Sequence, residues 1–117
     1  SQPLKDFFVS KKITSENYNS THVGSDVWIG QRVMIKSGLT IGTGAIIGAG
    51  SIVTKNVKPY SIVAGVPARI LRMRFPDKLV TELIESKWWE EDPNLLKQLS
   101  AYFNDPELFL DKLKCLK

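Results

Sequence analysis

Between residues 23 and 58, aliphatic side chains return every six positions: Val23, Ile29, Ile35, Ile41, Ile47 and Val53. A second set stands four places after each of these, Val27, Val33, Leu39, Ala45, Ser51 and Val57, and it too is small or aliphatic. Glycine follows the first position at 24, 30, 42 and 48. A half-buried strand alternates every second residue and a helix repeats about every 3.6, so a strict period of six fits neither. Residues two apart on an extended chain share a face, so Val27 with Ile29, Val33 with Ile35, and Ala45 with Ile47 point inward as pairs. The stretches between pairs, such as Gly30-Gln31-Arg32, must then turn a corner. A stack of very short strands joined by tight corners is the expected result.

Asp26-Val27-Trp28-Ile29-Gly30, Pro59-Tyr60 and Gly65-Val66-Pro67-Ala68-Arg69 are distinctive words within residues 23–75. On these words the segment resembles the C-terminal coils of the hexapeptide-repeat acetyltransferases, in the xenobiotic and polysaccharide branch. Arg72-Met73-Arg74-Phe75 and Lys87-Trp88-Trp89 are similar to its chloramphenicol and streptogramin side. The resemblance implies a left-handed parallel β-helix in which three short strands make one triangular coil. Handedness comes from the resemblance alone, since parallel crossovers are normally right-handed. The expected layout is a loop or extended segment over 1–22, β-helix coils over 23–70 and a helical segment over 71–117.

If 18 residues make a coil, the outward residues stack as Trp28 over Ile46, Met34 over Ile52, and Thr40 over Lys58. Two faces are then apolar outside and one is polar. Two aligned apolar columns point to a buried contact, although C-terminal helices covering one of them is the plainer alternative. A stack of two coils also has a small core and ends that need capping, so association is expected on physical grounds. The resemblance implies a homotrimer, formed here through Trp28, Met34, Ile46 and Ile52, with active sites between subunits.

The texture changes near Phe75 from Gly- and Val/Ile-rich to Leu- and Glu-rich. Asp77 is a candidate N-cap for a helix with Leu79, Val80, Leu83, Ile84 and Trp88 on its apolar face. Asp92-Pro93 and Asp105-Pro106 each pair an N-cap acid with a proline in the first turn. Leu95, Leu96, Leu99 and Phe103, then Phe109, Leu113 and Leu116, supply the stripes of those two helices, which are read as packing rather than chemistry. The helices are expected to cap the coils or to clasp a neighbouring subunit.

Charge divides in the same way, with +7 over residues 1–74 and −3 over 75–117. Lys55, Lys58, Arg69, Arg72 and Arg74 fall in an acid-free stretch whose single aromatic is Tyr60. No groove-reading motif accompanies them, so nucleic acid is not the expected partner, and a solvated charged surface is the bland reading. The resemblance implies acetyl-CoA as cosubstrate, lying along the coils with its phosphates near the last ones. By matching position the cofactor candidates are Gly44, Ala45, Ala49, Gly50, Ser51, Lys55, Val66, Pro67 and Arg69. Small residues would let the cofactor approach the backbone, and the cations would meet phosphate. Glycine and alanine are equally what tight corners and a narrow interior require.

One cysteine, Cys115, excludes an intrachain disulfide, and with the single histidine it gives too few soft ligands for a zinc site, so no metal is expected. Cys115 sits on a leucine stripe without a histidine nearby and is a poor nucleophile candidate. No apolar run of membrane-spanning length and no signal-peptide pattern is present, so a cytoplasmic setting without a membrane span is expected.

Relatives use a histidine as general base on the acceptor hydroxyl or amine. In the family that histidine stands well upstream of the Asp26–Gly30 word. His22 immediately precedes Val23 and is not the matching position. The implied activity is acetyl transfer from acetyl-CoA to a hydroxyl or amine of a small molecule or sugar, with no catalytic residue assigned and His22 a minor candidate. Three readings stay open: a piece of a longer enzyme, a short inactive relative, or a short protein that has recruited His22. The competing class is a non-catalytic trimeric β-helix scaffold.

Overall fold

The computed structural model describes residues 20–116, which divide into two compact units after Arg74. The first unit begins with six two-residue strands at six-residue spacing: β1 (His22–Val23), β2 (Trp28–Ile29), β3 (Met34–Ile35), β4 (Thr40–Ile41), β5 (Ile46–Ile47) and β6 (Ile52–Val53). They pair in parallel, β1 with β4, β2 with β5 and β3 with β6, each residue lying beside the one 18 further on. The expected stacks of Trp28 on Ile46 and Met34 on Ile52 are therefore present.

The interior is a set of aliphatic columns. Ile41, Ile47 and Ala45 are 0% exposed and Ile35 and Val53 1%. At about 25 cal/mol per Å² of apolar surface, each such Ile or Val side chain contributes roughly 1.5–3 kcal/mol against the entropy of ordering the coil, and Ala45 less. The corners carry a second periodicity. Asp26, Arg32, Gly38, Gly44, Gly50 and Tyr60 all have positive φ, between 54° and 85°. The left-handed residue turns the chain at the corner between strands, and its amide reaches the coil above: Gly44 N–H donates to Ser25 O and Gly50 N–H to Gln31 O, both at 2.8 Å.

The third coil departs from the expected register. Ile41 bridges Val57, and Ile47 pairs with Val63, both 16 residues on rather than 18. Thr40 thus lies opposite Asn56 and not Lys58, because the corner after Val53 is two residues short. The Asn56 side chain fills the gap by accepting the Thr40 N–H at 2.8 Å.

Two longer strands follow, β7 (Ser61–Gly65), parallel to β5, and β8 (Ala68–Met73), antiparallel to β7, in a sheet of order β2-β5-β7-β8. Their turn is Val66-Pro67, with a cis peptide between the two. Residues 71–73, expected in the helical segment, are still strand. Arg74 staples the exit: its N–H donates to Tyr60 O at 2.8 Å, and its guanidinium donates to Gly44 O at 2.8 Å and lies 3.7 Å from Asp26. Tyr60, 2% exposed, is a core residue that the hexad pattern does not mark.

The second unit holds α1 (Asp77–Ser86), a 3₁₀ turn at Trp88–Glu90, α2 (Pro93–Gln98), a 3₁₀ turn at Ser100–Tyr102 and α3 (Pro106–Leu116). Asp92 accepts the Asn94 N–H at 2.7 Å and Asp105 the Leu108 N–H at 3.2 Å, as expected of N-caps. Asp77 is instead the first helical residue; Pro76 occupies the cap position and no side chain caps that end. Leu79, Val80, Leu83, Leu99, Phe109, Leu110 and Leu113 form the buried apolar set. Phe103, expected in a stripe, is 52% exposed and Leu116 54%, whereas Leu110 takes a buried place.

Candidate functional site

The third coil and its hairpin line a shallow cleft of about 360 Å³. Its apolar floor is the last layer of the interior, Val53, Val57, Val63 and Ala68, and its rim is Lys55, Asn56, Arg69 and Ile70. The short corner presents Lys55, and the fold-back of β8 presents Arg69. Two cations thus converge on one opening although 14 positions separate them in sequence, and both are exposed. Such a pair suits an oxyanion carrying more than one charge, Arg as a planar fork and Lys as a mobile point charge.

The other members of the basic cluster do different work. Arg74 is occupied by Gly44 O and Asp26, with its guanidinium 5.9 Å from the centre of the Tyr60 ring. Arg72 and Lys58 are exposed on the surface.

The small-residue candidates separate by burial. Gly44, Ala45 and Ser51 are buried, whereas the corner Ala49-Gly50 and the turn Val66-Pro67 are exposed. Gly44 lies against Tyr60, whose ring a Cβ there would strike. Ser51 is fully buried; its hydroxyl donates to Gly48 O at 2.6 Å and accepts the Gly65 N–H at 3.1 Å. That bond holds the exposed corner beside the exposed turn. A Cβ on Gly50 would meet nothing within 4 Å, so the corner is open to an approaching molecule.

A family model described as bacterial transferase hexapeptide (six repeats) matches residues 20–55. The six-residue period of these residues is thus that of a hexapeptide repeat. The chain is 51% identical over 69 residues to a chloramphenicol acetyltransferase of Agrobacterium fabrum, spanning 59% of this chain and 33% of that protein. It is 47% identical over 82 residues to a chloramphenicol acetyltransferase of Escherichia coli, spanning 70% and 39%. Among solved structures, the Neisseria gonorrhoeae serine acetyltransferase superposes with a TM-score of 0.51 at 32% identity, over 62% of this chain and 28% of that one. The chain spans between a third and two fifths of the length of these two chloramphenicol acetyltransferases.

Within the hexapeptide segment His22 is exposed in β1, beside Thr40, and its backbone N–H donates to Leu39 O at 2.9 Å. The carboxylate closest to it in sequence among the described residues, Asp26, faces Arg74. Cys115 is exposed on α3. Among the described residues no group of three His, Cys, Asp or Glu could hold a metal ion, and no helix is long and apolar enough to cross a membrane. Of the eight lining residues only Lys55 and Arg69 were cofactor candidates in the sequence; the apolar floor, Asn56 and Ile70 were not. Asn56 was detectable only through the short corner, and Ile70 only through the fold-back of β8.

Proposed function

We propose that this chain is the coil-end portion of an acetyl-CoA-dependent acetyltransferase with a left-handed parallel β-helix, transferring acetyl to a hydroxyl or amine of a small molecule or sugar. The observation that carries this reading is the convergence of Lys55 and Arg69 on the cleft at the end of the last coil, in a chain whose relatives are acetyltransferases. Lys55 and Arg69 would meet the cofactor's phosphate. Ala49, Gly50, Val66 and Pro67 would lie along its pantetheine arm, while the buried Gly44, Ala45 and Ser51 shape the surface from behind. The cofactor supplies the activated acetyl thioester. Its attack by an acceptor requires a general base, and His22, immediately before Val23, is not at the position that matches the family's histidine, so no catalytic residue is assigned.

The working assembly is a homotrimer joined through Trp28, Met34, Ile46 and Ile52, in a cytoplasmic setting. Trp28 is 59% exposed in the isolated chain and heads an outward apolar column that continues through Ile46 and Ile62. The position of His22 favours a second reading, a trimeric β-helix scaffold without turnover.

Calorimetric titration with coenzyme A tests the cofactor site. Saturable binding that weakens with added salt, and falls at least tenfold in Lys55→Ala/Arg69→Ala, is expected. Absence of binding at millimolar coenzyme A would leave the scaffold. Acetyl transfer to common acceptors is expected at background, unchanged by His22→Ala. A rate that collapses on that substitution would assign His22 the base, since a general base is worth about 10²–10⁴-fold.

A further inference from the structure

Of the inward residues that stand four places after each leading aliphatic, Ser51 is the polar one. Its corner does not need a hydroxyl to form. One hexad earlier the same turn closes on alanine, where the Ala45 N–H donates to Gly42 O at 3.1 Å. Ser51 repeats that turn toward Gly48 O and adds its hydroxyl to the same carbonyl at 2.6 Å. What alanine could not supply is the link to the hairpin. The parallel pairing of β5 with β7 ends at Ile47 and Val63, and the Gly48 N–H donates to Val63 O at 2.9 Å. Two residues on, where the chain leaves the stack with Gly65 at φ 107°, the Gly65 N–H donates to the Ser51 hydroxyl at 3.1 Å. Beside this bond Gly48 comes so near Ala64 that an added Cβ would stand 3.0 Å from the Ala64 Cβ. Ser51 itself is 0% exposed, so it acts on a bound molecule only through what it holds.

We propose that Ser51 is a positioning residue: it sets the spacing between the exposed corner Ala49-Gly50 and the exposed turn Val66-Pro67, and with it the affinity for the pantetheine arm but not for the nucleotide. This rests on the cofactor reading above. Two walls fixed in advance grip a flexible arm without being ordered at the moment of binding, and that preorganisation is the source of the affinity. Arg69 is held independently, by its pairing with Ala64 inside the hairpin. Ser61 offers a matched control. It too is 0% exposed, and its hydroxyl donates three residues back to Lys58 O at 2.6 Å, a bond that stays within its own corner.

Calorimetric titration with coenzyme A and with adenosine 3′,5′-bisphosphate, the nucleotide end without the arm, tests the assignment together with amide exchange. Ser51→Ala should weaken coenzyme A binding about fivefold, the size of one lost hydrogen bond, and leave the bisphosphate within about twofold. The Gly65 amide should exchange about tenfold faster in that variant. Ser61→Ala should change neither affinity nor the Gly65 amide. Ser51→Cys fills the same space with a weak acceptor; it should match Ser51→Ala and carries the same test if the alanine variant does not fold. Equal losses for the two ligands, or equal losses of coenzyme A in Ser51→Ala and Ser61→Ala, would reduce Ser51 to support of the fold and overturn the proposal. So would an unchanged coenzyme A affinity once the Gly65 amide is freed, an outcome that leaves the cofactor reading standing. Failure of the unaltered chain to bind coenzyme A or the bisphosphate would remove that reading and this inference with it.

Discussion

Gly30 and Gly50 are both corner glycines, yet the structure requires each for a different reason, and the two can be separated by substitution. A Cβ on Gly30 would lie 2.6 Å from the Ala49 amide nitrogen and 2.8 Å from its Cα. These are backbone atoms of the next coil and cannot swing aside. Gly30→Ala must therefore push neighbouring coils apart beside Ile47, and overpacking of this kind costs about 1–3 kcal/mol. Gly50 has open space around it but φ of +74°. Gly50→Ala costs about 1–2 kcal/mol through the left-handed backbone alone. The corner one coil earlier holds Arg32 at φ 58°, so that conformation is open to a side chain. Asn tolerates it better than Ala, and Gly50→Asn should recover most of the loss. Gly30→Asn should be at least as damaging as Gly30→Ala. Thermal unfolding followed by far-UV circular dichroism reads the difference, with a fall on the order of 10 °C for Gly30→Ala and roughly 2 °C for Gly50→Asn. Equal losses for Gly30→Ala and Gly50→Asn would refute the distinction between crowding and backbone conformation.

Ile46→Glu should convert the proposed trimer to monomer in light scattering by placing an unpaired charge in a desolvated contact; a wild-type chain already monomeric at all concentrations would remove the trimer. Ser51→Ala should cost about 1 kcal/mol and speed exchange of the Gly65 amide, which loses its acceptor. Asp92→Ala should destabilise the helical unit by about 1 kcal/mol in chemical denaturation, whereas Asp77→Ala, at a position that makes no cap, should lie within about 0.5 kcal/mol of wild type.

The coils were legible because their constraint is local and repeated. Val27 with Ile29, and Ala45 with Ile47, need only the alternation of an extended chain to point inward, and the pairing of Trp28 with Ile46 then follows from the period. The third coil was not legible for an equally physical reason. Val57 is an acceptable inward residue in the six-residue frame and also in one two residues shorter, so side-chain chemistry does not choose between them. What chooses is the corner, where the Asn56 carboxamide stands in for a backbone acceptor. Asp77 misled because an acid before an apolar stripe serves either as a cap or as a first-turn residue, and Pro76 took the cap position. Of the cofactor candidates, Lys55 and Arg69 are brought together by a fold-back that no spacing rule encodes.

The short corner also makes the cleft modular. All eight residues that line it fall between Val53 and Ile70, in the terminal coil and its hairpin. Whole coils added or removed above β4, in steps of 18 residues, would leave the mutual placement of Lys55 and Arg69 untouched. An insertion of six or twelve residues would keep inward residues inward but carry each later strand to a different face of the stack. Repeat number and cleft geometry are thus free to change independently over evolutionary time, so stacks of quite different height could carry the same terminal cleft.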